Sequence, residues 1–142
     1  MGERKPIAMF AGEYAFLSNF WPEGDDGLSV EHRFQAERVT KEADKHAILT
    51  AATSTDARRI ARRRVTMPIR EDWDDIQVDV MRQLLEQKFA EPNLRRLLLA
   101  TEDAELIAGD PWGDQFWGVD PRTGEGRNEL GKQLMALRAR LQ

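Results

Sequence analysis

Apolar residues recur at helical spacing over several stretches of the chain, and these stretches set its frame. The strongest runs Trp73, Ile76, Val80, Leu84, with Met81 and Leu85 beside them, and predicts a core helix reaching about Phe89. Asp72 stands where its cap is expected. Leu130, Leu134, Leu137 and Leu141 recur at four, three and four, and predict a last helix opened by Arg127-Asn128-Glu129-Leu130-Gly131. Between them, the break Glu91-Pro92-Asn93 precedes a short helix carrying Leu94, Leu97, Leu98 and Leu99. Nearer the start, Ser29 is the expected N-cap of a helix with Val30, Phe34 and Val39 on one face. His32 stands three residues on where a full capping box would carry Glu or Gln, so the box is expected to be absent. Ala43, Ala47, Ile48 and Ala51 give a modest stripe over 42–51. The cap formers Thr53-Ser54-Thr55-Asp56 then introduce a helix over 57–64, which Met67-Pro68-Ile69 ends.

The remaining stretches lack that period. Ile7 to Phe10 and Ala104 to Ala108 read as short strands. Residues 12–22 crowd aromatics around Ser18 and Asn19, and read as an irregular buried segment. In it the two polar side chains either serve a ligand or satisfy turn backbone. Residues 22–27 form a polar turn with Asp25-Asp26-Gly27 as a hairpin signal. Residues 120–126 form a second polar turn, expected to be mobile. No internal repeat, low-complexity tract or linker interrupts the pattern. A single domain over 1–142 is expected, α+β and mainly α, with a few short strands.

Composition narrows this picture. A chain of 142 residues is large enough for one real core. Its net charge of −4 argues against broad contact with duplex nucleic acid, although a local basic patch can still act. There is no cysteine, so no disulfide framework and no thiolate nucleophile. His32 and His46 are too few to argue for zinc, and nothing demands a metal or other cofactor. No leader or spanning stretch is legible, so a soluble, cytoplasmic protein without a membrane partner is expected.

Three places can carry chemistry. Glu31, Gln35 and Arg38 share a second face of their helix, at spacings of four and three. They form either a ligand-facing row or a solvated face, and spacing alone favours the solvated face. Five arginines crowd residues 57–64, where a charged surface helix is the ordinary outcome and a phosphate clamp the functional one. Residues 110–118 hold two Trp, one Phe, two Gly, one Pro and two Asp. Such a loop either binds a planar ring and presents Asp114 to it or seals a core, and composition does not separate the two.

In order along the chain come Leu17-Ser18-Asn19-Phe20, then Glu31-His32-Arg33-Phe34-Gln35-Ala36, then Trp73 with Met81 and Lys88-Phe89. The loop Trp112 to Gly118 follows, and Asn128-Glu129-Leu130-Gly131 closes the set with Leu134-Met135 and Arg138. In these motifs the sequence resembles the NADAR superfamily, also called YbiA-like, over nearly its whole length. The resemblance implies a mostly helical domain that breaks N-glycosidic bonds. Family members are associated with removing ADP-ribose from guanine, and others with cleaving phosphoribosyl-amine intermediates of riboflavin synthesis. The substrate it implies is ADP-ribose on guanine, as nucleotide or in single-stranded nucleic acid.

Under that resemblance Glu31 and Asp114 are the candidate catalytic carboxylates, because cleavage develops positive charge on the sugar. Trp73 and Trp117 are candidate stacking surfaces for a base, and Trp112 is a further candidate substrate contact. Phe10, Ser18, Asn19, Phe20, Gln35 and Asn128 are candidate substrate contacts, and Arg62 is the candidate phosphate ligand. Two positions depart from the family pattern. Arg38 stands where a lysine is usual, and a guanidinium that stays protonated does not form a Schiff base with a sugar aldehyde. Ala108 stands where relatives commonly carry Glu, a general acid/base group. Both bear on turnover. The alternatives are therefore a hydrolase of the flavin precursor, a non-catalytic module that holds ADP-ribose or a nucleotide, and a partner-binding helical domain.

Overall fold

The computed structural model describes residues 4–22, 26–63 and 67–142, with Arg63 as backbone only. Their helices are a 3-10 helix at Gly12–Leu17 and six α-helices: α1 (Val30–Arg38), α2 (Glu42–Leu49), α3 (Ser54–Arg63), α4 (Trp73–Lys88), α5 (Pro92–Ala100) and α6 (Glu129–Leu141). The β component among the described residues is four isolated bridges, so the fold is mainly helical. No helix among them is long and apolar enough to cross a membrane. The chain divides into two groups of elements, residues 19–84 and residues 4–18 with 85–142, and α4 contributes to both.

In residues 19–84, α1, α2 and α3 pack on one another. Their shared core is Ala36, Val39, Ile48, Ala57, Ala61 and Met67, with Leu49, Ala51 and Ile60 packed against it. The small residues Ala57 and Ala61, one turn apart, let α3 lie close to its neighbours while Arg58, Arg59 and Arg62 occupy other positions around the helix. Thr53 caps α3, its Oγ1 accepting from Asp56 N at 3.0 Å. The capping box expected to be absent from α1 is present. Ser29 Oγ accepts from His32 N at 3.3 Å, and His32 Nδ1 accepts from Ser29 N at 3.2 Å, an imidazole nitrogen taking the role usually given to Glu. The turn expected over 22–27 is closed by one antiparallel bridge, Pro22 to Ser29. Asp25 of its hairpin signal lies outside the described residues, as does Arg64 of the arginine run.

In residues 4–18 and 85–142, α5 and α6 pack through Leu94 and Leu98 and through Leu130, Leu134 and Leu137. Pro92 begins α5, and Glu91 caps it by accepting from Leu94 N at 2.8 Å. Arg138 is buried and donates to Thr101 Oγ1 at 2.9 Å. Desolvation pulls its guanidinium below the ordinary value, and the charge of Asp103 opposes that shift. The strands expected at 7–10 and 104–108 each shrink to single bridges. Ile7 pairs with Leu106, and the next segment pairs Gly109 with Val119. The reason is local: Gly109 N turns back to Ile107 O at 3.0 Å, taking the two groups through which the Ile7 ladder would continue, while the Asn128 side chain takes Leu106 O and Ala108 N on the other edge.

Candidate active site

The residues picked out in the sequence fall into two groups, one in each set of elements. The first lies along α1. Asn19 receives the helix start, its carbonyl accepting from Glu31 N at 3.0 Å. Gln35, one turn on, donates from Nε2 to Glu31 Oε1 at 3.0 Å. Glu31 is 8% exposed and Gln35 9%, so the solvated face favoured by spacing alone is overturned: these polar groups are inside the protein. The carboxylate sits in the first turn of a helix, where the peptide dipoles favour negative charge.

Two acceptors in this group lack a partner. Among the described residues, Gln35 Oε1 and Asn19 Oδ1 are the buried side-chain polar atoms with no hydrogen bond. Asn19 Nδ2 reaches only the Met81 sulfur, at 3.6 Å. A buried acceptor left unsatisfied costs about 1–3 kcal/mol, so two of them, in residues each hydrogen-bonded to Glu31, call for an explanation other than stability. Trp73 is 5% exposed and packs on Phe34, ring centroids 4.9 Å apart and tilted by 55°; its ring is core rather than half open. Arg38 is half-buried in the last turn of α1, three residues beyond Gln35.

A buried hydroxyl network anchors this group. Ser54 Oγ donates to Phe20 O at 2.8 Å and lies 2.8 Å from Ser29 Oγ. His32 Nε2 lies 3.0 Å from the carbonyl of Ala51. With Nδ1 accepting from Ser29 N, the ring is set with its proton on Nε2, donating to Ala51. The network joins the start of α1, the entry to α3 and the segment holding Asn19 and Phe20. Sequence reasoning misses this part of His32, which it reads only as an unsuitable cap and a poor zinc ligand. A second arginine joins the phosphate candidate. Arg62 is exposed, whereas Arg58, one turn earlier, holds its guanidinium 5.9 Å from the Phe20 ring centroid. The signal for Arg58 is its place one turn after Ser54, legible only once Ser54 is known to grip Phe20.

The second group is the tryptophan loop and its surroundings. Trp112 is 84% exposed, so it seals no core in this chain. Trp117 is half-buried and stands edge-on to Phe116, with centroids 4.9 Å apart. Asp110 Oδ1 accepts from Trp112 N at 2.7 Å. Asp114 Oδ1 accepts from Phe116 N at 3.0 Å and Trp117 N at 2.9 Å, an Asx turn. The carbonyls of Phe116 and Trp117 in turn accept from Glu129 N and Leu130 N at 3.1 and 3.0 Å, which satisfies the first turn of α6.

Asn128 adopts a left-handed backbone, φ 54°. Its Oδ1 accepts from Ala108 N and its Nδ2 donates to Leu106 O, both at 2.9 Å. Ala108 itself is buried, and its carbonyl accepts from Val119 N at 2.9 Å. Gly131 is required by close approach, since a Cβ there would run into the Leu106 carbonyl and the Asn128 amide. Phe10 is half-buried, and the Ser18 carbonyl accepts from Nζ of Lys88, a lysine buried against Phe89.

The fold these elements make is shared with a solved structure. The NMR structure of YbiA from Escherichia coli superposes with a TM-score of 0.82 at 35% identity, over 99% of this chain and 87% of that one. The NADAR domain family matches residues 9–142, and the chain belongs to that family. Among its relatives, the N-glycosidase YbiA of Escherichia coli strain K12 is 38% identical over 91% of this chain and 82% of its own length. A protein of Vibrio vulnificus named riboflavin biosynthesis protein VVA0006 is also 38% identical over 91% of this chain, which spans 36% of it.

Proposed function

We propose that this protein is an N-glycosidase that hydrolyses the C1′–N bond between a phosphate-bearing ribose and a base, and that its substrate is guanine carrying ADP-ribose, as nucleotide or in single-stranded nucleic acid. The observation that carries the reading is Glu31, a buried carboxylate held by Gln35 and bonded at its N–H by Asn19, two residues that each keep a buried acceptor without a partner. The N-glycosidase relatives support the reaction class. Breaking the bond builds positive charge on the ribose, and a carboxylate in a low-dielectric setting stabilises that charge. Water forms the new bond to C1′ and gives a proton to Glu31. The electron pair of the broken bond leaves with the nitrogen, which takes up a proton, and the sum is hydrolysis. Water is the nucleophile in this scheme because position 38 carries a guanidinium, which offers no free amine. Arg58 and Arg62, one turn apart on α3, are the groups suited to the phosphates.

The test is product analysis by mass spectrometry on ADP-ribosylated guanosine, with wild type and Glu31→Gln compared. Glu31→Gln is expected to lower kcat by about 10²–10⁴-fold with an unchanged melting temperature. A rate within about tenfold of wild type would remove Glu31 from the chemistry. A second reading, hydrolysis of a phosphoribosyl-amine flavin precursor, is favoured by the relative named for riboflavin biosynthesis. The same assay run on that precursor decides between them. Tight binding of ADP-ribose with no product from either substrate, and product restored by Ala108→Glu, would favour the non-catalytic module.

A further inference from the structure

Resting on the reading that the surroundings of Glu31 receive the ligand, we infer that Asn19 and Gln35 select that ligand by hydrogen-bond polarity. The row accepts groups that donate N–H or O–H and excludes groups that present acceptors at the same place.

The polarity of Gln35 is fixed by Glu31. Its Nε2 donates to Oε1 of the carboxylate at 3.0 Å, and turning the amide over would set its carbonyl against an anionic oxygen. The atom left over is therefore Oε1, and it is buried without a partner. Asn19 is tied to the same helix turn through its backbone carbonyl on Glu31 N, and its Oδ1 is also buried without a partner. Its Nδ2 faces the Met81 thioether, a weak acceptor that claims little of it. An ionised carboxylate accepts only. The row thus offers acceptors, and the cations Arg38 and Arg58 belong to positions beyond it, three residues after Gln35 and against Phe20.

Two parts of a nucleotide supply such donors: a base edge with a ring N–H beside an amino group, as in guanine, or the ribose hydroxyls. A site built on buried polar groups rejects an analogue that leaves them unpaired far more strongly than an apolar pocket rejects a missing methylene.

Calorimetric binding of GMP, IMP and 2′-deoxy-GMP to wild type, Asn19→Leu and Gln35→Met tests this. IMP lacks the amino group and 2′-deoxy-GMP lacks one hydroxyl. If the base is read, GMP is expected to bind at least about tenfold tighter than IMP; if the sugar is read, at least about tenfold tighter than 2′-deoxy-GMP. In both variants that difference should shrink below about threefold. Asn19→Leu is also expected to melt no lower than wild type, because it removes an unpaired buried acceptor without a strong bond. Gln35→Met decides the question if Asn19→Leu does not fold. Equal affinity of wild type for all three ligands, absence of binding, or discrimination kept in the folded variants overturns the inference. Discrimination without cleavage of any N-glycoside would sink the N-glycosidase reading alone. Cleavage without discrimination would do the reverse.

Discussion

The start of α1 and the tryptophan loop hold the same kinds of residue and use them in opposite ways. In the loop the named polar side chains turn back on their own backbone. Asp110 holds Trp112 N, Asp114 holds two amides, and Asn128 bridges Leu106 and Ala108. Around α1, Glu31 is buried with Gln35 on one oxygen, while Gln35 and Asn19 each keep an acceptor that no described residue satisfies. Composition points first to the loop, whose mixture of Trp, Gly and Asp is unusual. Unmet hydrogen bonds point to α1, whose residues look ordinary. Unusual composition marks backbone that is hard to hold in place, whereas an unsatisfied buried group calls for a partner from outside the fold, a water or a bound molecule. The loop can still contribute through Trp112 and through the second oxygen of Asp114.

The contrast breaks most visibly at Asn128. Asn128→Ala leaves a carbonyl and an amide of the 106–108 segment unpaired and puts a Cβ residue without a compensating side chain at positive φ. The expected loss is about 2–4 kcal/mol in chemical denaturation, from roughly 1–3 kcal/mol per unpaired group. Asn128→Asp should fare little better, because it keeps an acceptor for Ala108 N but turns an oxygen toward the Leu106 carbonyl. A loss under about 0.5 kcal/mol in both variants would mean that the amide is held in reserve for substrate after all.

Asp114 sharpens the comparison at smaller cost. Asp114→Asn keeps Oδ1 for Phe116 N and Trp117 N, whereas Asp114→Ala abandons both amides. The Ala variant is expected to lose about 1 kcal/mol, on the scale of a removed helix cap, and the Asn variant much less. Their rates separate the two roles. Equal loss of kcat in both would assign chemistry to the charge of Asp114, as the family resemblance suggests. Activity kept in Asn and lost in Ala would leave the turn as its role.

Much of this is legible in the sequence, and the rest is not for identifiable reasons. The helices carried by Trp73 to Leu85 and by Leu130 to Leu141 stand where periodicity places them, because an apolar stripe admits one packing solution. The strands at 7–10 and 104–108 fail because pairing length is a tertiary property, and here Gly109 N turns back to Ile107 O while Asn128 claims the other edge. The capping box escapes notice because histidine is not the usual partner, although Nδ1 has the reach. The face of Glu31, Gln35 and Arg38 is recognisable, but spacing gives the direction of a side chain on its own helix and says nothing of what covers it. The choice of Arg62 leaves Arg58 out for a similar reason, since the grip of Ser54 on Phe20 joins residues 34 apart in sequence.

The smallest effect tests whether the self-satisfied character extends to the turn after the loop. That turn, expected to be mobile, is bonded at Asp120 N to Glu125 O (2.8 Å), at Gly124 N to Asp120 O (2.7 Å) and at Arg122 N to Asp120 Oδ1 (2.8 Å). The Arg122 amide, with the Arg122 side chain next, holds the Asp120 carboxyl below its ordinary value. A carboxylate with a depressed folded-state value adds stability that is fully present above the unfolded value and is lost as pH falls through the folded one. Wild type should therefore melt slightly higher than Asp120→Asn at neutral pH, and the gap should close on acidification between about pH 5 and pH 2. Salt should narrow it at neutral pH, because Arg122 is exposed. The Asn variant keeps the oxygen that accepts from Arg122 N, so the comparison isolates charge from the turn. A gap that stayed constant over that range would mean that the negative charge of Asp120 contributes nothing, and that the neutral hydrogen bonds alone hold the turn as they hold the loop before it.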